Sequence, residues 1–149
     1  HRRTGAVAVT TEAQRTQRVH RESGRRDRGG QLSGEVIGAA IEVHRHLGPG
    51  LLESAYRRCL VHELVLRGHR PATEVSVELA YKGMLVGSAW RLDVVVDDLL
   101  VVEVKAVSRL LPIHEAQLLT YLRLSRRPLG LLINFHVELL KDGITRLAM

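Results

Sequence analysis

Residues 93–105, DVVVDDLLVVEVK, restrict the fold more than any other part of this chain. Two apolar runs rich in valine and leucine flank an Asp97-Asp98 turn signal, so they read as neighbouring strands with enough apolar surface to be buried. An unpaired charge in such surroundings is strongly unfavourable. Yet Asp93 opens the stretch, and Glu103 and Lys105 close it. These charges need one another, or a partner from outside the chain.

Alternate side chains of a strand share a face, so Glu103 lies beside Lys105, and Arg91 lies beside Asp93 and Val95. Whether the two sets meet depends on the turn. A two-residue loop at Asp97-Asp98 sets Val96 opposite Leu99 and Asp93 opposite Val102, which leaves the two acids on opposite sides of the sheet. A three-residue loop of Asp97, Asp98 and Leu99 sets Val96 opposite Leu100 and Asp93 opposite Glu103. In that register the carboxylates repel unless a cation lies between them. Mg²⁺ suits the position, being typically held by one or two carboxylates with water and substrate phosphate in the rest of its shell; Mn²⁺ is the substitute to expect. Lys105 would then stand beside the metal, where an amine can orient an attacking water or neutralise charge on a phosphoryl oxygen. The plain alternative is a solvated hairpin face with three ordinary surface charges.

Upstream, Val36, Ile37, Ala40, Ile41, Val43 and Leu47 recur at helical spacing, with Ser33 as the expected cap and Gly48-Pro49-Gly50 as the stop. A second helix is predicted over residues 52–66, ended by Gly68. The period then falls to two at Val75, Val77 and Leu79, Lys82-Gly83 marks a turn, and strands are predicted over 85–96 and 100–107. Pro112 opens a third helix over 113–124, closed by Arg126-Arg127-Pro128. Residues 129–135 read as a short apolar strand, and 137–140 with 144–147 as a closing hairpin or a broken strand around Asp142-Gly143. The order ααβββαβ, with room for one more strand, predicts an α/β sandwich with a mixed sheet.

The 149 residues, 45% apolar, supply one core and hence one domain, expected over 31–149. The net charge of +6 suggests nucleic acid, but residues 1–30 carry eight Arg against three acids, and the remainder is close to balance. That basic segment has no lasting apolar period and is expected to be disordered. It starts with His, as expected of a fragment or an over-extended reading frame. The single cysteine, Cys59, excludes an internal disulfide, and His44 and His46 do not have zinc spacing. No apolar run approaches the roughly 18 residues of a membrane span. A reduced, cytoplasmic protein is expected.

The series of motifs resembles the PD-(D/E)XK nuclease superfamily, whose members carry an Asp on one strand and Glu-x-Lys on the next. More narrowly, Gly50-Leu-Leu-Glu53-Ser-Ala-Tyr56 is similar to the signature of the GxxExxY proteins, a bacterial group of that superfamily. EVHRHLGPG, EVKAV, HEAQLLTYL and LLINF resemble the same group, and together these stretches span residues 33–136. The resemblance implies that Asp93 and Glu103 bind a metal together with the Val104 carbonyl, that Lys105 is the catalytic lysine, and that Glu53 completes the metal site from a helix. It also implies that Gln117 and Tyr121 form a Gln-x-x-x-Tyr motif in contact with phosphate or bracing Lys105; residues four apart do share a helix face. Two positions depart from the pattern: Leu92 stands where the superfamily name has Pro, and His136 follows LLINF where related chains tend to have Gly. His114 is read as a partly buried histidine, and His44 and Arg91 are left outside the site.

The expected activity is Mg²⁺-dependent hydrolysis of phosphodiester bonds in nucleic acid, with DNA the preferred substrate. The alternative is a silent nuclease-fold module that binds nucleic acid or a protein partner without cutting.

Overall fold

The structure, a computed structural model, describes residues 12–149, apart from the side chains of 19, 20 and 22–27. Helix α1, Glu12–Leu47, is longer than its apolar spacing predicts. Leu32, Val36, Ala39, Ala40 and Val43 are buried, and a side chain at Gly29 would meet Leu129 at 2.8 Å, so the packed part of the helix begins near Gly29. Ser33 is therefore no cap. It is a buried residue inside the helix, 7% exposed. Residues 12–18 are exposed and rich in Glu, Gln and Arg, which favour a helix without any apolar stripe; periodicity registers a helix through its buried face and passes over a solvated one. Of the segment expected to be disordered, residues 1–11 lie outside the described residues, and the chain is helical from Glu12 onward.

Helix α2, Glu53–Leu66, buries Tyr56, Leu60 and Leu64 on one face. Gly48 and Gly50, at φ 68° and 100°, turn the chain between the helices through backbone conformations that side chains rarely adopt. The Tyr56 hydroxyl closes this loop: it donates to the Gly48 carbonyl and accepts from the Leu51 N–H at 3.1 Å. Its ring stacks on Phe135, 4.6 Å between centres. The Gly50 to Tyr56 motif thus sets where α2 begins, and with it the position of Glu53.

Five strands follow: β1 Pro71–Tyr81, β2 Met84–Val96, β3 Leu100–Lys105, β4 Leu129–Asn134 and β5 Ile144–Ala148, with α3, Pro112–Ser125, between β3 and β4. They form one sheet in the order β1-β2-β3-β4-β5. The β3–β4 pair is parallel and the other pairs are antiparallel. One core lies between α1, α2 and the sheet and contains Val94, Val96, Val102, Val104, Leu131 and Ile133. The other lies under α3 and contains Val77, Leu92, Val95, Val101, Leu118, Leu122 and Leu132. β3 is covered on both faces, which is why its sequence is an almost unbroken apolar run. The expected mixed α/β sandwich is the observed architecture.

The closing hairpin does not form. Residues 140–143 make a 3-10 turn, and of the two segments expected in the hairpin only the second, β5, is a strand, paired with β4. Leu140 is drawn into the first core, and a Cβ at Gly143 would overlap the Asn134 carbonyl, so the chain turns tightly against β4 here. Among the described residues no helix is long and apolar enough to cross a membrane.

Candidate active site

The turn between β2 and β3 decides which side chains meet. Asp97 and Asp98 both take positive φ, 52° and 57°, and the Leu99 N–H donates to the Val96 carbonyl at 3.0 Å. The ladder nevertheless skips Leu99: Val96 pairs with Leu100, Val95 with Val101 and Val94 with Val102. The next step in this register sets Asp93 against Glu103. Contacts remote in sequence hold the turn. The Asp97 carboxylate accepts the Arg70 N–H at 2.7 Å and lies 2.8 Å from His69 Nδ1, while the Asp97 N–H donates to the Arg70 carbonyl. The other ring nitrogen of His69 is 2.8 Å from Glu35 on α1. Burial raises the Asp97 pKa, but the hydrogen bonds from His69 and Arg70 and their charges outweigh it, so the net shift is downward. Asp97→Ala removes these acceptors and a residue tolerant of positive φ, and should cost about 1–3 kcal/mol in a denaturant melt. Asp97→Asn should retain most of that stability, because it keeps an acceptor for the Arg70 amide.

Hydrogen bonding between β2 and β3 ends at Val94 and Val102, and the strands part beyond that point. Side chains occupy the fork. Asp93 Oδ2 accepts the Val104 N–H at 2.9 Å, and the Asp93 N–H makes a long contact, 3.4 Å, to Glu103 Oε1. A strand residue turns its N–H and C=O to the same edge, so the Val104 carbonyl also faces the fork. Asp93 Oδ1 has Arg57 of α2 at 3.8 Å. Glu103 is 3% exposed. Burial pushes its pKa up to about 8, with the Asp93 charge adding to the rise; the Asp93 amide and the Lys105 charge act in the opposite direction without cancelling it. The charges that begin and end the apolar stretch therefore converge where the ladder opens.

Lys105 ends β3, half-buried, and pairs with Asn134 across the parallel ladder. Its carbonyl accepts the Phe135 N–H at 2.8 Å. The buried Asn134 amide bonds both backbone groups of Val107, at 3.0 and 2.8 Å, and so ties the chain after β3 to the end of β4. Tyr121 on α3 is half-buried, and its pKa is raised by burial and then by the charge of Glu103, which sets it on the acid's side of the sheet. Gln117, one turn earlier, is exposed. Glu53 is also exposed, and the link from α2 to the acids runs through Arg57, one turn further on. Among the described residues no group of three or more His, Cys, Asp or Glu is placed to hold a metal, so Glu53 does not form a three-acid cluster with Asp93 and Glu103 in this structure.

A family model described as the PD-(D/E)XK nuclease superfamily matches residues 30–147, nearly the whole packed region. The chain belongs to the PD-(D/E)XK nuclease superfamily. No curated protein and no solved structure matches it at a significant level. Both departures from the PD-(D/E)XK pattern have a local explanation. Leu92 is fully buried and packs in the core under α3, while His136 has no positive φ that would call for glycine. His44 hydrogen-bonds the Val137 carbonyl at 2.8 Å and is buried, and His114 Nδ1 accepts the Leu111 N–H at the start of α3. Both are structural.

Two residues near the acids were not singled out from the sequence. Arg57 carried a usable signal, since it lies four residues after Glu53 and hence on the same helix face. Trp90 carried none: its ring lies parallel to that of Tyr121, 5.3 Å away, through a contact between β2 and α3.

Proposed function

We propose that this PD-(D/E)XK protein is a metal-dependent nuclease of the GxxExxY type, cutting phosphodiester bonds with Mg²⁺ and with DNA as the preferred substrate. One observation carries this most directly: a buried Glu103, raised to a pKa of about 8 beside Asp93, in a fork lined by oxygen donors. Two carboxylates that coexist only by keeping a proton are a pair suited to a cation. Two carboxylates, a strand carbonyl and water make the hard oxygen shell that Mg²⁺ takes, so the donors fit. Asp93, Glu103 and the Val104 carbonyl would hold the ion, with Glu53 as a further acid on α2; the ion's chemistry would be to polarise a phosphoryl oxygen and acidify a water.

The protein's own groups do the rest. Lys105 orients the attacking water and meets the negative charge that grows on the phosphoryl oxygens. The oxygen of water bonds to phosphorus and gives up a proton as the bridging P–O bond breaks, and the departing alkoxide takes up a proton, so the exchange balances. Gln117 and Tyr121 contact the flanking phosphates, and Arg57 offers a guanidinium whose fork matches a phosphate edge. With Mg²⁺ or Mn²⁺ the purified chain should shorten single- or double-stranded DNA or RNA, and EDTA should stop it. Absence of products from all four substrates, or undiminished cutting by Asp93→Asn, would remove this assignment.

Arg57 also favours a second reading. Its guanidinium, 3.8 Å from Asp93, supplies positive charge without any metal, as would suit a silent nuclease-fold module that binds nucleic acid. Salt-sensitive oligonucleotide binding that survives Asp93→Asn, with no products, would support that reading.

A further inference from the structure

The aromatic side chains fall into separate places. Tyr56 and Phe135 are fully buried in the first core. Trp90 and Tyr121 instead stack at the edge of the candidate site, with 5.3 Å between ring centres and 7° between ring planes. Trp90 is three residues from Asp93 on β2, about 10 Å along the strand. Tyr121 covers one face of the indole, yet Trp90 remains 40% exposed, so its accessible area lies on the opposite face and outer edge. A large ring left open in this way forgoes hydrophobic stabilisation that fuller burial would provide.

The surroundings suit a base. Val77, the cross-strand partner of Trp90, is buried in the core under α3, so the indole stands on a packed support. Tyr121 fixes the plane of the indole from behind, so a base arriving on the open face meets an ordered surface.

We propose that the open face of Trp90 receives one unpaired base of the substrate, so that the enzyme acts on nucleic acid that is single-stranded next to the cut. This deepens the nuclease assignment and rests on it for the cutting step. A base inside a duplex has both faces covered by its neighbours and cannot offer one to Trp90. An unpaired base can, and one such stack raises affinity about tenfold or more.

Trp90 is the single tryptophan, so the emission of the full chain reports on this position alone. In EDTA, a short single-stranded DNA oligomer should quench that emission, and the blunt duplex of the same sequence should not. Abasic substitution moved along the strand should weaken binding about tenfold at one position. With Mg²⁺, the ratio of single-strand to duplex cutting should fall about tenfold in Trp90→Ala and largely recover in Trp90→Phe. Equal quenching by duplex and single strand, or none by either, overturns the proposal. Base-dependent quenching without cleavage under any metal keeps the platform and removes the nuclease assignment. Cleavage with an unchanged ratio in Trp90→Ala does the reverse.

Discussion

Lys105→Ala should slow phosphodiester cleavage by about a hundredfold or more at saturating Mg²⁺ while leaving the fold intact. The backbone at this position is held independently of the side chain, by the ladder to Asn134 and by the Phe135 N–H on the Lys105 carbonyl. Losing the amine therefore removes charge and orientation from the site and little from the packing. The loss should fall on kcat more than on KM, because the role proposed for the amine is to meet charge that grows during the reaction. Lys105→Arg should rescue little, since a planar, strongly basic guanidinium cannot stand in for a compact amine. The Lys105 charge also draws the Glu103 pKa downward, so the alanine variant should need higher pH to ionise Glu103 and load metal. Single-turnover rates across pH, beside a thermal melt, test all of this. An unchanged rate with an unchanged melt would leave Lys105 without the role proposed for it.

Glu103→Gln should abolish cutting and stabilise the metal-free protein at about pH 8. The sign follows from the folded state binding a proton that the unfolded chain releases. The Glu103 pKa stands near 8 in the fold against an ordinary 4.5. Its contribution to stability is fully present below the ordinary value and is lost as pH rises through the folded one. Above that the buried Glu103 is charged, at a cost on the order of a few kcal/mol relative to acid conditions. Gln fills the same space without that charge. In EDTA, wild type and variant should melt alike near pH 4 to 5, and the variant should melt several degrees higher at about pH 8. Added Mg²⁺ should restore the wild type at the higher pH and release about half a proton there, with no such effect on the variant. Melts that coincide at both pH values would mean that the acids are not crowded as their geometry implies.

Particular residues show how far the linear chain could be read. Glu103 and Lys105 could be placed on one face because strand alternation is local, and the buried Val102 and Val104 facing the other way follow the same rule. The start and end of α3 were legible for the same reason: Pro112 and Arg126-Arg127-Pro128 act on their own neighbours. Ser33 misled because a capping residue type says nothing about chain before it that is helical without an apolar face. Residues 137–140 were read as a strand because they are mostly apolar and precede the Asp142-Gly143 turn signal, whereas the pull of the core on Leu140, which starts the 3-10 turn, comes from residues far away in sequence.

By itself the sequence determined the order of the elements, the apolar character of β3 and the presence of two acids and a lysine around so apolar a stretch, all of which follow from short-range periodicity and side-chain chemistry. It left open which of two registers joins β2 to β3. That choice belongs to the tertiary structure, because the Asp97 turn is held by Arg70 and by the Glu35–His69 pair, segments that come together only when the helices pack on the sheet. The approach of Arg57 to Asp93 and the stack of Trp90 on Tyr121 have the same origin. Each joins different elements through side chains, and no local pattern encodes a contact whose partners are set by how the layers close.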